Sequence, residues 1–321
     1  MGPAETTEGN EVAEIITLIV GPEDAGRRLD VWLAAALGHS RSQIQRWIAA
    51  GRVRIDGSTR KAGFALTGGE RVEVEPLAPE PQDLVPEALP LEILYEDADL
   101  LVVNKPAGMV VHPGAGNRSG TLANALAHHL GGTAVGDPMR PGIVHRLDKG
   151  TSGVLLVAKN VPALENLAAQ FRRRKVEKVY TALVYGRTPP RGEIEVAIGR
   201  DYRSRLRVSA RTRRPKAALT RYEAVRYWPW ATLVRVIPMT GRTHQIRVHF
   251  LHIGHPIVGD RVYSRRDRVL PGVLGGMDRK LGRLFLHATS IRFTHPTSSA
   301  EMFFEVPLPP ELEAFLARLE Q

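Results

Sequence analysis

Cysteine is absent from this 321-residue chain. Disulfides, thiolate metal sites and thiol nucleophiles are thereby excluded. No run approaches the ~18 consecutive apolar residues of a membrane span, so no membrane association is expected. The opening MGPAETTEGNEVAE is polar and acidic and lacks the features of a secretory leader. Gly2 and Thr6 fit the loose N-myristoylation pattern, but Pro3 stiffens that stretch, and residues 1–14 read as a disordered tail. GAGNRSGTL is glycine-rich without the G-K-[ST] ending of a phosphate-binding Walker loop, and Ser152 in TSGVLL lies outside a G-x-S-x-G elbow. Internal repeats and low-complexity runs are missing. Acid is in deficit: 34 Asp and Glu face 44 Lys and Arg, a net charge of +10. Such a field favours a polyanionic partner. Without a basic amphipathic anchor or polybasic tail, nucleic acid is the expectation and a cytoplasmic location fits.

The length suggests two domains. In residues 15–76, Leu29, Trp32, Leu33 and Ala36 recur at helical spacing and Gly38 ends that helix. Ser40 can cap a second helix with Ile44, Trp47 and Ile48 on its apolar face, which leaves Arg41, Gln45 and Arg46 largely off it. RVRIDG reads as a strand entering an Asp-Gly turn, and RVEVEP as another strand. Two helices and a small sheet suit a small α/β RNA-binding domain that uses Arg41 and Arg46. An ordinary helical domain with solvated arginines fits the same pattern. Residues 76–90 hold five prolines, which places a linker at 77–90. Residues 91–321 are dense in strand signals with few helices between them. One helix is clear: Asn160 can cap it, and Leu164, Leu167, Ala168 and Phe171 share a face. This predicts an α+β domain with a mixed, mostly antiparallel sheet.

Two stretches are strongly basic. GRDYRSRLRVSARTRRPK, residues 199–216, has seven arginines and one lysine against one acid. In a strand, Arg203, Arg205 and Arg207 would share a face suited to tracking phosphates, with Tyr202 beside them for base stacking. A solvated loop is the plainer alternative. FRRRKVEK, residues 171–178, has a structural explanation, since cations complement a helix C-terminus.

For chemistry, His244, His249, His252 and His255 crowd one block, but without carboxylates or H-E-x-x-H, and Arg247 would repel a dication. No metal site is expected. PGIVHRLDKGTSGVLLVAKN, residues 141–160, sets Asp148 among His145, Arg146 and Lys149 at the mouth of an apolar strand. An aspartate there can act as nucleophile or general base, or can close a salt bridge in a turn.

Five blocks carry a resemblance. HRLDKGTSGVLLVAKN, EKVYTALVYG, GRTHQIRVHFLHIGHPIVGDRVY, NKPAGMVVHPG and LHATSIRFTHP resemble the RluA family of pseudouridine synthases, and within it the type acting on large-subunit ribosomal RNA. They span most of residues 91–310; SRRDRVLPGVLGGMDRKLGR is the least familiar part. RLDVWLAAAL and SRSQIQRWIAAGRVRIDG are similar to the S-four-like RNA-binding domain first recognised in a ribosomal small-subunit protein, with Ile55 in place of the second valine of V-x-V-[ND]-G. The resemblance implies the pseudouridine synthase fold and isomerisation of specific uridines to pseudouridine in structured RNA, without cofactor; a monomer is the expectation, the sequence itself leaving the oligomeric state open. It implies that Asp148 starts the reaction, that Tyr180 stacks on the flipped uracil and that Arg247 pairs with Asp148. Ile246 would floor the base, and Arg146 would fill the space the nucleotide leaves. His145 would orient the site, touch RNA or serve structure alone. A metal-assisted ribonuclease using the histidine block, and a catalytically silent ribosome-binding protein, are the alternatives.

Overall fold

The computed structural model describes residues 15–76, 84–114, 116–132, 135–202, 207–263 and 281–320. The expected tail at 1–14 and the linker positions 77–83 lie outside the described residues. The chain divides into two compact units, Met1–Gln82 and Asp83–Gln321.

In the first unit, helix α1 (Leu29–Leu37) stops at Gly38, whose φ of 67° suits glycine. Helix α2 (Arg41–Ala49) begins under a Ser40 cap that accepts the Gln43 N–H at 3.3 Å. Strands β1 (Ile16–Ile19), β2 (Val53–Ile55), β3 (Ser58–Thr59) and β4 (Arg71–Val74) form an antiparallel sheet in the order β1-β4-β2-β3. Asp56 and Gly57 both have positive φ, as the tight β2–β3 turn requires. Leu29, Leu33, Ile44, Trp47, Val53 and Val72 fill the core. One carboxylate is buried beside it. Asp30 accepts Arg28 at 3.0 and 3.2 Å, Arg41 at 2.8 Å and Gln45 at 2.5 Å. The Arg28 bonds, helped by Arg41 and Gln45, outweigh burial and hold its carboxyl well below the usual range.

The second unit is built on one large sheet. Its strands are β5 (Glu92–Glu96), β6 (Leu100–Lys105), β7 (Ser152–Ala158), β8 (Glu177–Tyr185), β9 (Arg191–Glu195), β12 (Leu219–Trp228), β13 (Ala231–Pro238), β14 (Leu286–Thr294) and β15 (Glu301–Glu305). The order is β5-β6-β7-β14-β8-β13-β12-β9, with β15 paired to β14; only β7–β14 is parallel. Between β9 and β12 in the chain, β10 (Gly199–Arg200) and β11 (Val208–Ser209) form a separate short ladder. Helices α3 (Leu122–His129), α4 (Val161–Arg172), α5 (Gln245–His252) and α6 (Pro310–Arg318) complete the unit. The mixed, mostly antiparallel α+β reading is what the structure shows. Residues 84–90, read as linker from their prolines, are tied to the start of α3. Asn124 Nδ2 donates to the Val85 carbonyl at 2.8 Å, and the Glu87 N–H to the Asn124 carbonyl at 3.0 Å.

All seven residues of β7 are buried, which explains the continuous apolar run of GVLLVA. Val154 and Leu156 face one core with Leu100 and Leu167; Leu155 and Val157 face the other with Leu101 and Leu126. Each buried Leu or Val contributes about 1.5–3 kcal/mol, so this strand is a rigid anchor for whatever precedes it. Gly153 makes the parallel seam possible. At φ 115°, a Cβ there would lie 2.1 Å from the Ala288 carbonyl oxygen of β14. Gly153→Ala is therefore expected to lower stability by about 3 kcal/mol or more, read as a shifted urea midpoint of the full-length protein.

Candidate active site

The turn before β7 carries Asp148. The Thr151 N–H closes it onto the Asp148 carbonyl at 3.0 Å, and the Gly108 N–H holds the Lys149 carbonyl at 2.7 Å. Leu147 is buried in the core beneath. His145 Nε2 accepts the Leu156 N–H at 2.9 Å while its ring stacks on Phe171 at 4.7 Å. Burial, reinforced by Lys178, pushes this imidazole down to about 3. His145 is thus neutral, and these contacts tie the turn to the strand and to α4.

Across from the turn, α5 presents Arg247. Its Nη1 donates to Asp148 Oδ2 at 2.9 Å. Its Nε and Nη2 clamp Asp260 at 2.7 and 2.9 Å, and Asp260 also accepts the Val262 and Tyr263 N–H groups at 3.0 and 3.2 Å. The guanidinium lies over Tyr263, 4.9 Å from the ring centre. Burial disfavours this charge, but the bonds to Asp260 and Asp148 more than restore it and raise the Arg247 pKa. Gln245, also on α5, shapes the preceding loop: Oε1 accepts Thr240 Oγ1 at 2.7 Å and the Arg242 N–H at 3.0 Å.

These parts enclose a cleft of about 710 Å³ whose lining includes seven Arg or Lys side chains and, among the described residues, a single carboxylate, Asp148. Tyr180 of β8 lines it. Burial first, then the Asp148 charge, raise the phenol pKa, so Tyr180 keeps its proton. Buried Ile246 and exposed Arg146 also line the cleft. His244, at φ 55°, places Nε2 3.9 Å from Asp148 Oδ2, and its Nδ1 is 2.7 Å from the Tyr263 hydroxyl. The Tyr263 hydroxyl accepts the Val208 N–H at 3.0 Å. Burial pushes His244 below its ordinary value against the pull of Asp148. Lys105, 1 % exposed, donates to the Pro106 and Met109 carbonyls at 2.7 and 2.9 Å. Burial, with Arg283 adding to it and Asp148 opposing, pushes its ammonium down to about 7.

Five residues expected together, Asp148, Arg146, Tyr180, Ile246 and Arg247, do line one cleft. Arg41 and Arg46 lie exposed on α2 of the first unit, with Arg41 tied to Asp30. Arg207 is exposed just before β11; Arg203 and Arg205 lie outside the described residues. The histidine block does not converge: His249 Nε2 meets the Val196 carbonyl at 3.0 Å and His255 Nδ1 the Tyr185 carbonyl at 2.8 Å. The basic stretch explained from sequence by a helix end does more than that, because Arg172, Arg174 and Lys178 line the cleft. No local pattern marks Asp260, Tyr263 or Lys105 as part of the site. They sat inside GDRVY and NKPAG, blocks whose order was legible but whose contacts were not. Asp97, Asp99 and His295 cluster elsewhere. There His295 Nδ1 accepts the Thr297 and Ser298 N–H groups at 3.2 and 3.0 Å, and Nε2 lies 2.9 Å from Asp97, so the group staples a loop.

Residues 99–252 match the RNA pseudouridylate synthase family, and residues 27–72 match the S4 domain. Ribosomal large subunit pseudouridine synthase D of Escherichia coli O6:H1 is 40 % identical over 302 residues, 92 % of each chain. An uncharacterized RNA pseudouridine synthase of Aquifex aeolicus is 42 % identical over 97 % of this chain and 99 % of its own. Among solved structures, human RNA pseudouridylate synthase domain containing 1 superposes with a TM-score of 0.56 at 30 % identity, over 71 % of this chain and 89 % of its own.

Asp260→Ala leaves Arg247 buried with half its partners and is expected to cost about 3–5 kcal/mol, measured by urea unfolding. Lys105 gives a pH signature. Between pH 7 and 9 the unfolded chain holds a proton that the folded chain releases, so stability rises with pH across that window. Wild type should gain up to about 3 kcal/mol there, and Lys105→Met should lose that part of the slope.

Proposed function

Because the chain belongs to the RluA-type RNA pseudouridine synthases and carries their N-terminal S4 domain, we propose that Asp148 is the catalytic carboxylate with which it converts uridine to pseudouridine in large-subunit ribosomal RNA. One observation carries the assignment: among the described residues Asp148 is the lone carboxylate lining a cationic cleft, and Arg247 holds it by a 2.9 Å hydrogen bond.

The reaction breaks the bond between ribose C1′ and uracil N1 and forms one between C1′ and C5. The C5 hydrogen leaves as a proton and N1 gains one, so no electrons are exchanged and nothing external is consumed. The uracil must leave its stack to be reached. Tyr180 offers a ring face in place of the lost stacking, and its protonated hydroxyl can donate a hydrogen bond. Ile246 supplies an apolar floor. Arg146, exposed at the turn, is placed to fill the gap in the RNA. Asp148 acts on the ribose or the base from a turn anchored by β7, and Arg247 fixes its direction.

RNA affinity belongs to surfaces around this cleft and on the first unit. Arg41, oriented by Asp30, and Arg46 suit phosphate contact, as do Arg203, Arg205 and Arg207 in the basic stretch. No described helix is long and apolar enough to cross a membrane. With ribosomal RNA as substrate the protein acts in the cytoplasm. Asp148, Tyr180, Ile246 and Arg247 all come from one chain, which suits action as a monomer.

Base-resolved pseudouridine mapping of ribosomal RNA, from cells with and without the protein, identifies the target uridines. Tritium release from C5 of uridine then tests the residue. Wild type should be active in EDTA, and folded Asp148→Asn should be at least about 1000-fold slower, because an amide is neither base nor nucleophile. A folded variant near the wild-type rate would remove Asp148 from the mechanism.

A further inference from the structure

The far wall of the cleft holds a feature that base recognition does not use. Strand β8 sends Lys178 and Tyr180 to the same face, and both line the cleft together with Val176, which precedes the strand. Lys178 thus sits about 6.6 Å along the strand from the residue proposed to stack on uracil. Its ammonium lies over the Phe171 ring, 5.6 Å from the centre, and Phe171 is itself stacked on His145. Among the described residues no carboxylate bridges to Lys178, and burial lowers its pKa. A desolvated ammonium with only a ring face beneath it is costly in the free protein and lacks an anion.

The neighbouring wall supplies more positive charge. Arg172 and Arg174, at the end of α4, are exposed and line the same cleft, again without an ion pair among the described residues. Arg174 has φ 57°, a left-handed conformation that usually falls to glycine. The chain keeps an arginine there at a backbone cost, which points to a use for that side chain. A cavity of about 710 Å³ also has room for more than a nucleobase.

We propose that Lys178, with Arg172 and Arg174, forms a phosphate seat that holds the phosphodiester next to the flipped uridine. The proposal rests on the uridine reading of the cleft and adds what anchors the nucleotide beyond its base. The anion binds by charge-assisted hydrogen bonds and restores to Lys178 the partner it lacks. Tyr180 and Lys178 then read base and backbone of one nucleotide from one strand, which fixes the ribose between them and in front of Asp148.

The test uses full-length protein and three small probes: uridine, uridine 5′-monophosphate and uridine 3′-monophosphate, each titrated by calorimetry. Wild type should bind one of the monophosphates at least about tenfold more tightly than uridine, the size of one charge-assisted hydrogen bond. Lys178→Met should reduce that preference to under about twofold, and Lys178→Arg should keep it. Arg172→Ala combined with Arg174→Ala, both exposed positions, should weaken it about threefold and decides the matter if Lys178→Met does not fold. Lys178→Met should melt no lower than wild type, because it removes a desolvated charge. No preference in wild type, or full preference in Lys178→Met, would overturn the seat. So would a preference lost in Lys178→Arg together with a lowered melting temperature, since that assigns Lys178 to packing. Tritium release separates the two ideas: a protein that prefers the monophosphate but releases no tritium keeps the seat and loses the isomerase reading. One that releases tritium without the preference does the reverse.

Discussion

The Arg247 guanidinium holds this site together. Its two ends serve different tasks: Nε and Nη2 are spent on Asp260, and Nη1 is left for Asp148. The bidentate side makes the cation rigid before it meets the second carboxylate. Asp148 is thereby held from two directions, by α5 in front and by the buried strand β7 behind. Lysine in place of Arg247 would keep the charge but could not form the fork. A buried cation between two carboxylates also makes the local charge negative by one, beside a cleft whose other charged lining side chains, among the described residues, are Arg and Lys.

Burial organises the rest of the cleft by protonation state. His145 is held neutral and accepts a backbone N–H. Tyr180 is held as the phenol. Lys105 and Lys178 are both made reluctant cations, but they differ in what they touch. Lys105 spends its protons on two backbone carbonyls, so its part is to brace the NKPAG turn beside the site. Lys178 lies over an aromatic face and, among the described residues, has no carboxylate partner.

The first unit solves a similar problem in reverse. There a buried carboxylate, Asp30, positions two half-exposed arginines and a glutamine on the surface. In the cleft a buried arginine positions a carboxylate. In both cases the more deeply buried partner is the orienting group.

Much of this was legible in the chain. Helical spacing, Ser40 and Asn160 caps, the Asp-Gly turn and the apolar strands are local signals, and each gave the element found. The ordered blocks placed Asp148, Tyr180, Ile246 and Arg247 in one site. Sequence could not show that Asp260 shares Arg247, that His145 serves the strand, or that the basic run after Phe171 turns into the cleft. Those are contacts between positions far apart in the chain. Arg247 and Asp148 are 99 residues apart, and the bulge between Ala288 and Ser290 that sets β8 against β14 has no sequence signature. Local propensity and pattern determine which segments are strands and helices. Which side chains are desolvated together, and so which keep their protons and which need an anion, is decided only when the sheet closes and water is excluded.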